Sequence, residues 1–153
     1  LWAAVALGLV TCVAVPCLLY ATGMVDREQY LSSLCEVYEP SLQLNRLVPT
    51  GGKAILYGEP RGFYLDCPYM WGDPGHHRLI PYERLTTPQA LVAHLRGLGF
   101  THVLLNQMQA GALSPDTPPP VGLLAKAAQE GLIRVIPVES ARRSQYVILD
   151  LAP

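Results

Sequence analysis

The residues best suited to chemistry lie between positions 61 and 77, where aromatic and polar side chains are concentrated. An aromatic ring packs against the apolar face of a ligand, while guanidinium and imidazole groups bind the oxygen atoms of hydroxyls or phosphates. This mixture predicts contact with a sugar or a phosphate headgroup. Aromatic residues near a membrane also serve as interface anchors, and that interpretation stays open. The candidate binding residues are Arg61, Tyr64, Trp71, Asp73 and His76, with Tyr69 beside them.

A metal site in the same region is not expected, although Asp73, His76 and His77 resemble a metal cluster at first sight. Adjacent histidines on an extended backbone point to opposite faces, so a shared ion would require a turn. No third ligand stands at helical spacing, and we therefore expect a polar loop. His94, on the apolar face of a predicted helix, and His102, in a predicted strand, are expected to be core or rim residues.

Sequence motifs for nucleotide binding and catalysis are absent. The Gly51-Gly52-Lys53 segment lacks the P-loop spacing and precedes a predicted strand. The GEPRG segment at 58–62 does not match the dinucleotide fingerprint, and there is no G-x-S-x-G elbow. A net charge of −1 argues against a broad basic surface for nucleic acid. We expect no catalytic residue, no metal and no cofactor in this chain.

The elements that must position these side chains begin with an uncharged run at 1–25. About 20 apolar residues in a helix reach about 30 Å, the thickness of the hydrocarbon core of a bilayer. We predict a transmembrane helix here; a signal peptide and a buried core helix are the alternatives. A signal peptide normally opens with a basic segment, which this run lacks. Because the run starts without Met, we expect the last span and the tail of a longer membrane protein.

The segment that follows this run is poor in basic residues. It contains one, Arg27, and four acidic residues: Asp26, Glu28, Glu36 and Glu39. Cytoplasmic flanks are usually enriched in Lys and Arg. We therefore predict that the soluble part lies outside the cytoplasm.

The four cysteines divide into two pairs. Cys12 and Cys17 lie in the apolar run and are expected to behave as small apolar residues. Cys35 and Cys67 lie in the soluble part, where they are either a disulfide or two unrelated thiols, and the spacing does not decide between them.

Periodicity predicts a helical linker followed by an α/β domain. Asp26 is expected to cap the linker, and Pro40 either divides it into two helices or kinks one helix. Residues 62–68 are either a strand or a helical turn, and 69–81 are expected to form a loop. The short link between the last two strands favours antiparallel pairing. The predicted fold class is α/β: an N-terminal transmembrane helix, then a small mostly parallel sheet with an antiparallel edge hairpin and flanking helices. The predicted domains are 1–25, 26–52 and 53–153; helices are predicted at 87–98 and 121–131, and strands at 53–57, 100–106, 132–138 and 145–151.

Three stretches carry a resemblance to a known family: KAILYGEPRGFYLDCPY, TTPQALVAHLRGLGFTHVLLN, and the closing GLIRVIPV with SQYVILDL. With the apolar run before them, they resemble the C-terminal tail of bacterial multi-span GT-C glycosyltransferases of the dolichyl-phosphate-mannose protein mannosyltransferase and aminoarabinose transferase kind. The strongest matches cover 95–106 and 56–65. The Gly-Asp-Pro-Gly-His-His loop at 72–77 and the triple proline at 118–120 depart from that pattern.

The resemblance implies transfer of a sugar from a polyprenyl-phosphate donor to an extracytoplasmic acceptor. In that family the catalytic carboxylates lie in external loops near the N-terminus, so no residue here inherits a catalytic role. We expect a non-catalytic C-terminal fragment of an integral-membrane glycosyltransferase at the cell (inner) membrane. The implied partners are membrane lipid, the upstream transmembrane part of the same protein and a polyprenyl-phosphate sugar. The alternative is a single-span membrane protein with a soluble α/β binding or interaction domain.

Overall fold

The computed structural model describes residues 14–139 and 145–152. Two compact units make up the chain, residues 1–38 and 39–153. In the first unit, residues 14–21 are helical and a second helix, α1, spans Arg27–Leu34. Asp26 caps α1 as predicted: its carboxylate accepts from the N–H of Gln29 at 2.8 Å, and the Gln29 side chain accepts from the N–H of Asp26 at 3.3 Å.

The predicted fold class is wrong in its N-terminal transmembrane helix. Within residues 14–139 and 145–152, no helix is both long enough and apolar enough to cross a bilayer. The helix at 14–21 ends ahead of Gly23, whose φ of 72° is the left-handed conformation that commonly ends a helix. Residues 1–13 of the predicted span lie outside the described residues.

The second unit is built on a five-stranded sheet in the order β2-β1-β3-β5-β4. β1 pairs parallel with β2 and β3, whereas β5 pairs antiparallel with β3 and β4. The sheet is therefore mixed, where the sequence predicts a mostly parallel one, and its last two strands pair antiparallel as their short link predicts. The strands are β1 Lys53–Tyr57, β2 Tyr69–Trp71, β3 Phe100–Asn106, β4 Arg134–Pro137 and β5 Tyr146–Asp150.

The helices begin where local capping allows. Pro40 lies in the first turn of α2, where its missing N–H costs no hydrogen bond, so the predicted helical linker forms two helices. The hydroxyl of Thr87 accepts from the N–H of Ala90 at 3.2 Å and starts α3 ahead of Pro88. The remaining helices are α2 Tyr38–Leu47, α3 Pro88–Gly97, α4 Gln107–Ala110 and α5 Val121–Gln129, with a 3₁₀ turn at Tyr82–Arg84.

One face of the sheet packs against α3 and α5. Alternate side chains of β1, β3 and β5, including Ile55, Val103 and Leu149, form a continuous buried cluster with Leu95 of α3 and Leu124 of α5. Each of these five side chains is fully buried, and removing one such side chain from water stabilises the fold by about 1.5–3 kcal/mol.

The opposite face is also closed, with Leu56, Leu104 and Ile148 at most 1% exposed. Two amide side chains bond α2 to the end of β4 and to the loop before β2. Gln43 donates to the carbonyl of Pro137 at the end of β4 (3.0 Å), and Asn45 donates to the carbonyl of Tyr64 (2.9 Å). The buried Leu44 lies between them in sequence and points into the protein.

Polar residues collect where β1 and β3 end. Glu59 follows β1, Asn106 ends β3, and Tyr146 begins the antiparallel β5 at the same edge. This carboxyl edge is where open α/β sheets commonly bind ligands. The prediction of a loop over 69–81 is wrong at its start, because Tyr69–Trp71 forms β2 along the outer side of β1.

Two glycines, one at this edge and one in α3, test how closely the backbone is packed. A Cβ at Gly72 would lie 2.7 Å from both Ile55 Cγ1 and the Tyr57 ring, whereas a Cβ at Gly97 meets nothing within 4 Å. We expect Gly72→Ala to lower the free energy of unfolding by about 1–3 kcal/mol through overpacking. Gly97→Ala should raise it by about 0.5–1 kcal/mol, because alanine is the better helix former.

Urea unfolding followed by circular dichroism measures both changes. Equal stability of the Gly72→Ala protein and the parent would contradict the close packing of β2 against β1.

Candidate functional site

A buried carboxylate lies at the centre of the carboxyl edge. The side chain of Glu59 has no solvent exposure, and Arg61 binds it with two parallel hydrogen bonds, Nε to Oε1 at 2.7 Å and Nη2 to Oε2 at 2.8 Å. The backbone N–H of Arg61 also donates to Oε1 at 2.9 Å. Charge-assisted bidentate pairs of this kind are among the strongest hydrogen-bonded contacts in proteins.

Two further strands supply the remaining partners of this carboxylate. The hydroxyl of Tyr146 donates to Glu59 Oε2 and accepts from Arg61 Nη2 at 3.0 Å and from Asn106 Nδ2 at 3.2 Å. Asn106 Oδ1 in turn accepts from the N–H of Met108 at 3.1 Å and starts α4. The network therefore connects the loop after β1 with β3 and β5.

The protonation states in this network follow from its contacts. Burial alone would raise the pKa of Glu59, but the hydrogen bonds and charge of Arg61 and the bond from Tyr146 outweigh it and hold that pKa below its usual range. Burial, and then the bond to Glu59, raise the pKa of the Tyr146 phenol far above its usual range. Near neutral pH the carboxylate is ionised and the phenol protonated, so this network is suited to binding and positioning groups.

The sequence-predicted site residues lie around this network. Arg61 belongs to it. Trp71, on β2, donates from its indole N–H to the carbonyl of Pro60 at 3.1 Å, and its ring lies 6.0 Å from that of His76, edge to face. Asp73 accepts the N–H of Gly58 with both carboxylate oxygens, at 2.9 and 3.1 Å, so it holds the turn after β1.

Three exposed rings lie on β2 and in the loop before it, and we call them the aromatic surface: Phe63, Tyr69 and Trp71, exposed by 66, 42 and 43%. Tyr69 and Trp71 are two residues apart on β2 and therefore lie on one side of the sheet. The Tyr69 ring lies against Gly62, where a Cβ would come within 2.3 Å of it.

The fifth predicted residue, Tyr64, flanks the aromatic surface. Its ring centre is 4.5 Å from that of Phe63. Its carbonyl is the group that Asn45 of α2 binds, so the backbone of this loop is attached to α2 while the ring of Phe63 stays exposed.

A second polar group spans three strands at the end of the sheet opposite the carboxyl edge. His102, Asp150 and Arg134 are cross-strand neighbours on β3, β5 and β4. Arg134 binds Asp150 Oδ2 at 2.8 Å, and His102 Nε2 lies 4.0 Å from Asp150 Oδ1. Burial lowers the pKa of His102; the charge of Asp150 opposes that shift and the charge of Arg134 adds to it. The pKa of Asp150 is lowered, because bonds from Ala152 and Arg134 outweigh the effect of burial.

No group of three or more His, Cys, Asp or Glu side chains gathers at metal-binding distance within the part of the chain that the structure describes. Cys17, Cys35 and Cys67 are free thiols, so the structure gives no disulfide between Cys35 and Cys67. Burial raises the pKa of Cys67, which keeps that thiol protonated near neutral pH.

The sequence interpretation missed Glu59, Asn106 and Tyr146. A signal was present for the first two, because polar residues directly after or at the end of neighbouring parallel strands meet at one edge. Tyr146 gave no such signal, since its place depends on the antiparallel pairing of β5 with β3.

No protein-family model matches this chain, and no curated protein or solved structure is significantly similar to it.

The lowered pKa of Glu59 makes stability depend on pH. The unfolded chain binds a proton at this carboxyl more readily than the folded chain does, so the stabilisation is present above the unfolded pKa of about 4.3 and is lost as pH falls through the folded pKa. We expect Glu59→Gln to lower the free energy of unfolding by about 1–3 kcal/mol at pH 7 and to flatten its decline in acid.

Urea unfolding between pH 7 and pH 3 measures this effect. Asp116→Asn, at an exposed loop position, is the matched control and should keep the parent slope. A parent-like acid slope in Glu59→Gln would refute the role given to this carboxylate.

The charges around His102 predict opposite shifts in two variants. Proton NMR should place the titration midpoint of His102 below its ordinary value of 6.5 in the parent. Arg134→Gln removes a positive charge and should raise that midpoint, whereas Asp150→Asn removes a negative charge and should lower it further. Shifts of the same sign in both variants would contradict the arrangement of His102, Asp150 and Arg134, which we call the ladder.

Proposed function

We propose that this chain is a non-catalytic part of a membrane-associated glycosyltransferase and that its α/β unit contributes a saccharide-binding surface. The reaction proposed for the whole enzyme moves a sugar from a polyprenyl-phosphate donor to an extracytoplasmic acceptor at the cell (inner) membrane. The resemblance of 53–69, 86–106 and the closing strands to the tails of such enzymes supports this proposal.

The aromatic surface beside Arg61 is the observation that carries the binding role. A pyranose presents C–H groups on its face and hydroxyls around its rim, so it packs on an aromatic ring and is bound at the rim by charged donors. Trp71 and Tyr69 offer rings fixed at a spacing of two strand residues, and the side chain of Arg61 is 42% exposed beside the fixed carboxylate of Glu59. Rigid aromatic side chains lose little conformational entropy on binding.

The chemistry of the polar network supports the non-catalytic part of the proposal. General acid–base catalysis works best with a group whose pKa lies near the working pH. The pKa of Glu59 is lowered and that of Tyr146 is raised, so both move away from neutrality. Glu59 and Tyr146 are also bonded to each other, and this contact positions the loop after β1.

A second candidate function is an interaction domain in a protein with no sugar-transfer activity. The observation that favours it is the position of β2 at the edge of the sheet, with Trp71 and Tyr69 exposed. An exposed sheet edge presents unpaired backbone groups to which a partner protein can add a strand.

Titration with mannotriose and chitotriose, followed by tryptophan fluorescence and calorimetry, tests the proposed function. We expect saturable binding of at least one trisaccharide with a Kd of about 1–10 mM. Trp71→Ala should weaken it at least about tenfold because the stacking ring is lost, and Trp71→Phe should retain most of it. Met108→Ala, at an exposed apolar residue of α4 outside the aromatic surface, is the control.

Failure of both trisaccharides to bind, or equal affinity in Trp71→Ala and the parent, would leave the interaction domain as the better candidate. We also expect no sugar transfer from a polyprenyl-phosphate mannose by this chain alone. Turnover would refute its non-catalytic assignment.

A further inference from the structure

A cleft of about 500 Å³ lies beside the 3₁₀ turn, lined by residues of the 74–84 segment. This volume is within the range of small-molecule sites, about 300–1,000 Å³. None of the residues that form the aromatic surface or the Glu59 network lines it, so it is a separate feature of the molecule.

His77 lines this cleft and carries an unpaired donor. Its Nδ1 accepts the N–H of Leu79 at 3.2 Å, which places the ring proton on Nε2. Nε2 is buried and has no hydrogen-bond partner among the described residues, and no other described side-chain nitrogen or oxygen is in this state. A buried N–H without an acceptor costs free energy, and a bound acceptor removes that cost once the ring turns its Nε2 toward the cleft.

The charges that line the cleft favour an anion. Arg78 and Arg84 are both exposed, and neither makes an ion pair or a side-chain hydrogen bond within residues 14–139 and 145–152. Glu83 is the one opposing charge in the lining. The guanidinium fork matches the oxygen atoms of a phosphate, and two forks with an imidazole N–H suit a tetrahedral acceptor better than a flat carboxylate.

We propose that this cleft binds a phosphate monoester, with Arg78 and Arg84 contacting the phosphate oxygens and His77 Nε2 donating to one of them. The volume exceeds that of a phosphate ion and leaves room for the organic part of the ester beside Ile80 and Tyr82. The site is independent of the proposed saccharide surface.

Calorimetric titration with inorganic phosphate at low ionic strength tests the site. We expect a Kd of about 0.1–1 mM for the parent. The double variant Arg78→Gln/Arg84→Gln should bind at least about tenfold more weakly. His77→Asn keeps an acceptor for the N–H of Leu79 but lacks the Nε2 donor, and it should bind severalfold more weakly.

The matched control is Arg46→Gln/Lys126→Gln, which removes the same charge from exposed positions on α2 and α5. Parent-like phosphate affinity in this control supports the site. Absence of saturable binding, or an equal loss in the control and in Arg78→Gln/Arg84→Gln, would overturn it.

Two probes identify the source of the phosphate. Tighter binding of glucose 6-phosphate than of inorganic phosphate supports the site with a soluble ester, and binding of phosphatidic acid vesicles in preference to phosphatidylcholine vesicles supports it with a lipid. Trisaccharide binding should be unchanged in Arg78→Gln/Arg84→Gln, so this proposal and the saccharide proposal can fail separately.

Discussion

The buried carboxylate of Glu59 is the constraint on which the carboxyl edge of the sheet depends. An ionised group without solvent exposure is tolerated only when its charge is paired and its oxygen atoms are bonded. Arg61 pairs with the charge from two residues away, and its backbone N–H bonds the same carboxylate, so this contact fixes the loop directly after β1. Tyr146 and Asn106 complete the bonding from β5 and β3. The loop and the strand register are therefore mutually dependent, since a shift of one residue in β5 would move the phenol to the other face.

The sheet face opposite α3 and α5, here the second face, keeps its polar groups at the ends of the strands. The centre of the second face is apolar, while the Glu59 network stands at one end and the ladder of His102, Asp150 and Arg134 at the other. A fully buried ion pair in the middle of the sheet would have to recover its whole desolvation cost from its partners. At the ends, the side chains of Arg61 and Arg134 stay 42 and 73% exposed, so less solvation is lost.

Both proposed sites lie in the segment between β1 and α3, which contains little regular structure. Side chains hold this segment where backbone ladders do not. Asp73 binds the N–H of Gly58, and the hydroxyl of Tyr82 donates to the carbonyl of Gly72 and lies 2.8 Å from that of Tyr57. Burial raises the pKa of Tyr82 to about 12, so this phenol stays protonated and keeps its bond. Loops fixed on a rigid sheet are where binding residues are most often found.

Local signals in the sequence determined α3, the capped start of α1, the strands β1 and β3, and the closing hairpin. Their hydrophobic periodicity, caps and turn residues act within a few positions of one another. The hydropathy of 1–25 predicted a membrane-spanning helix. Hydropathy reports how well a segment suits an apolar environment, and it does not fix the length of the helix that forms. The helix among the described residues ends before Gly23. β2 escaped prediction because three residues flanked by Pro68 and Gly72 carry no period. The partners of Glu59 stand 47 and 87 residues away. Only strand order and register bring such distant groups together, and those are set by how the whole sheet buries its two faces.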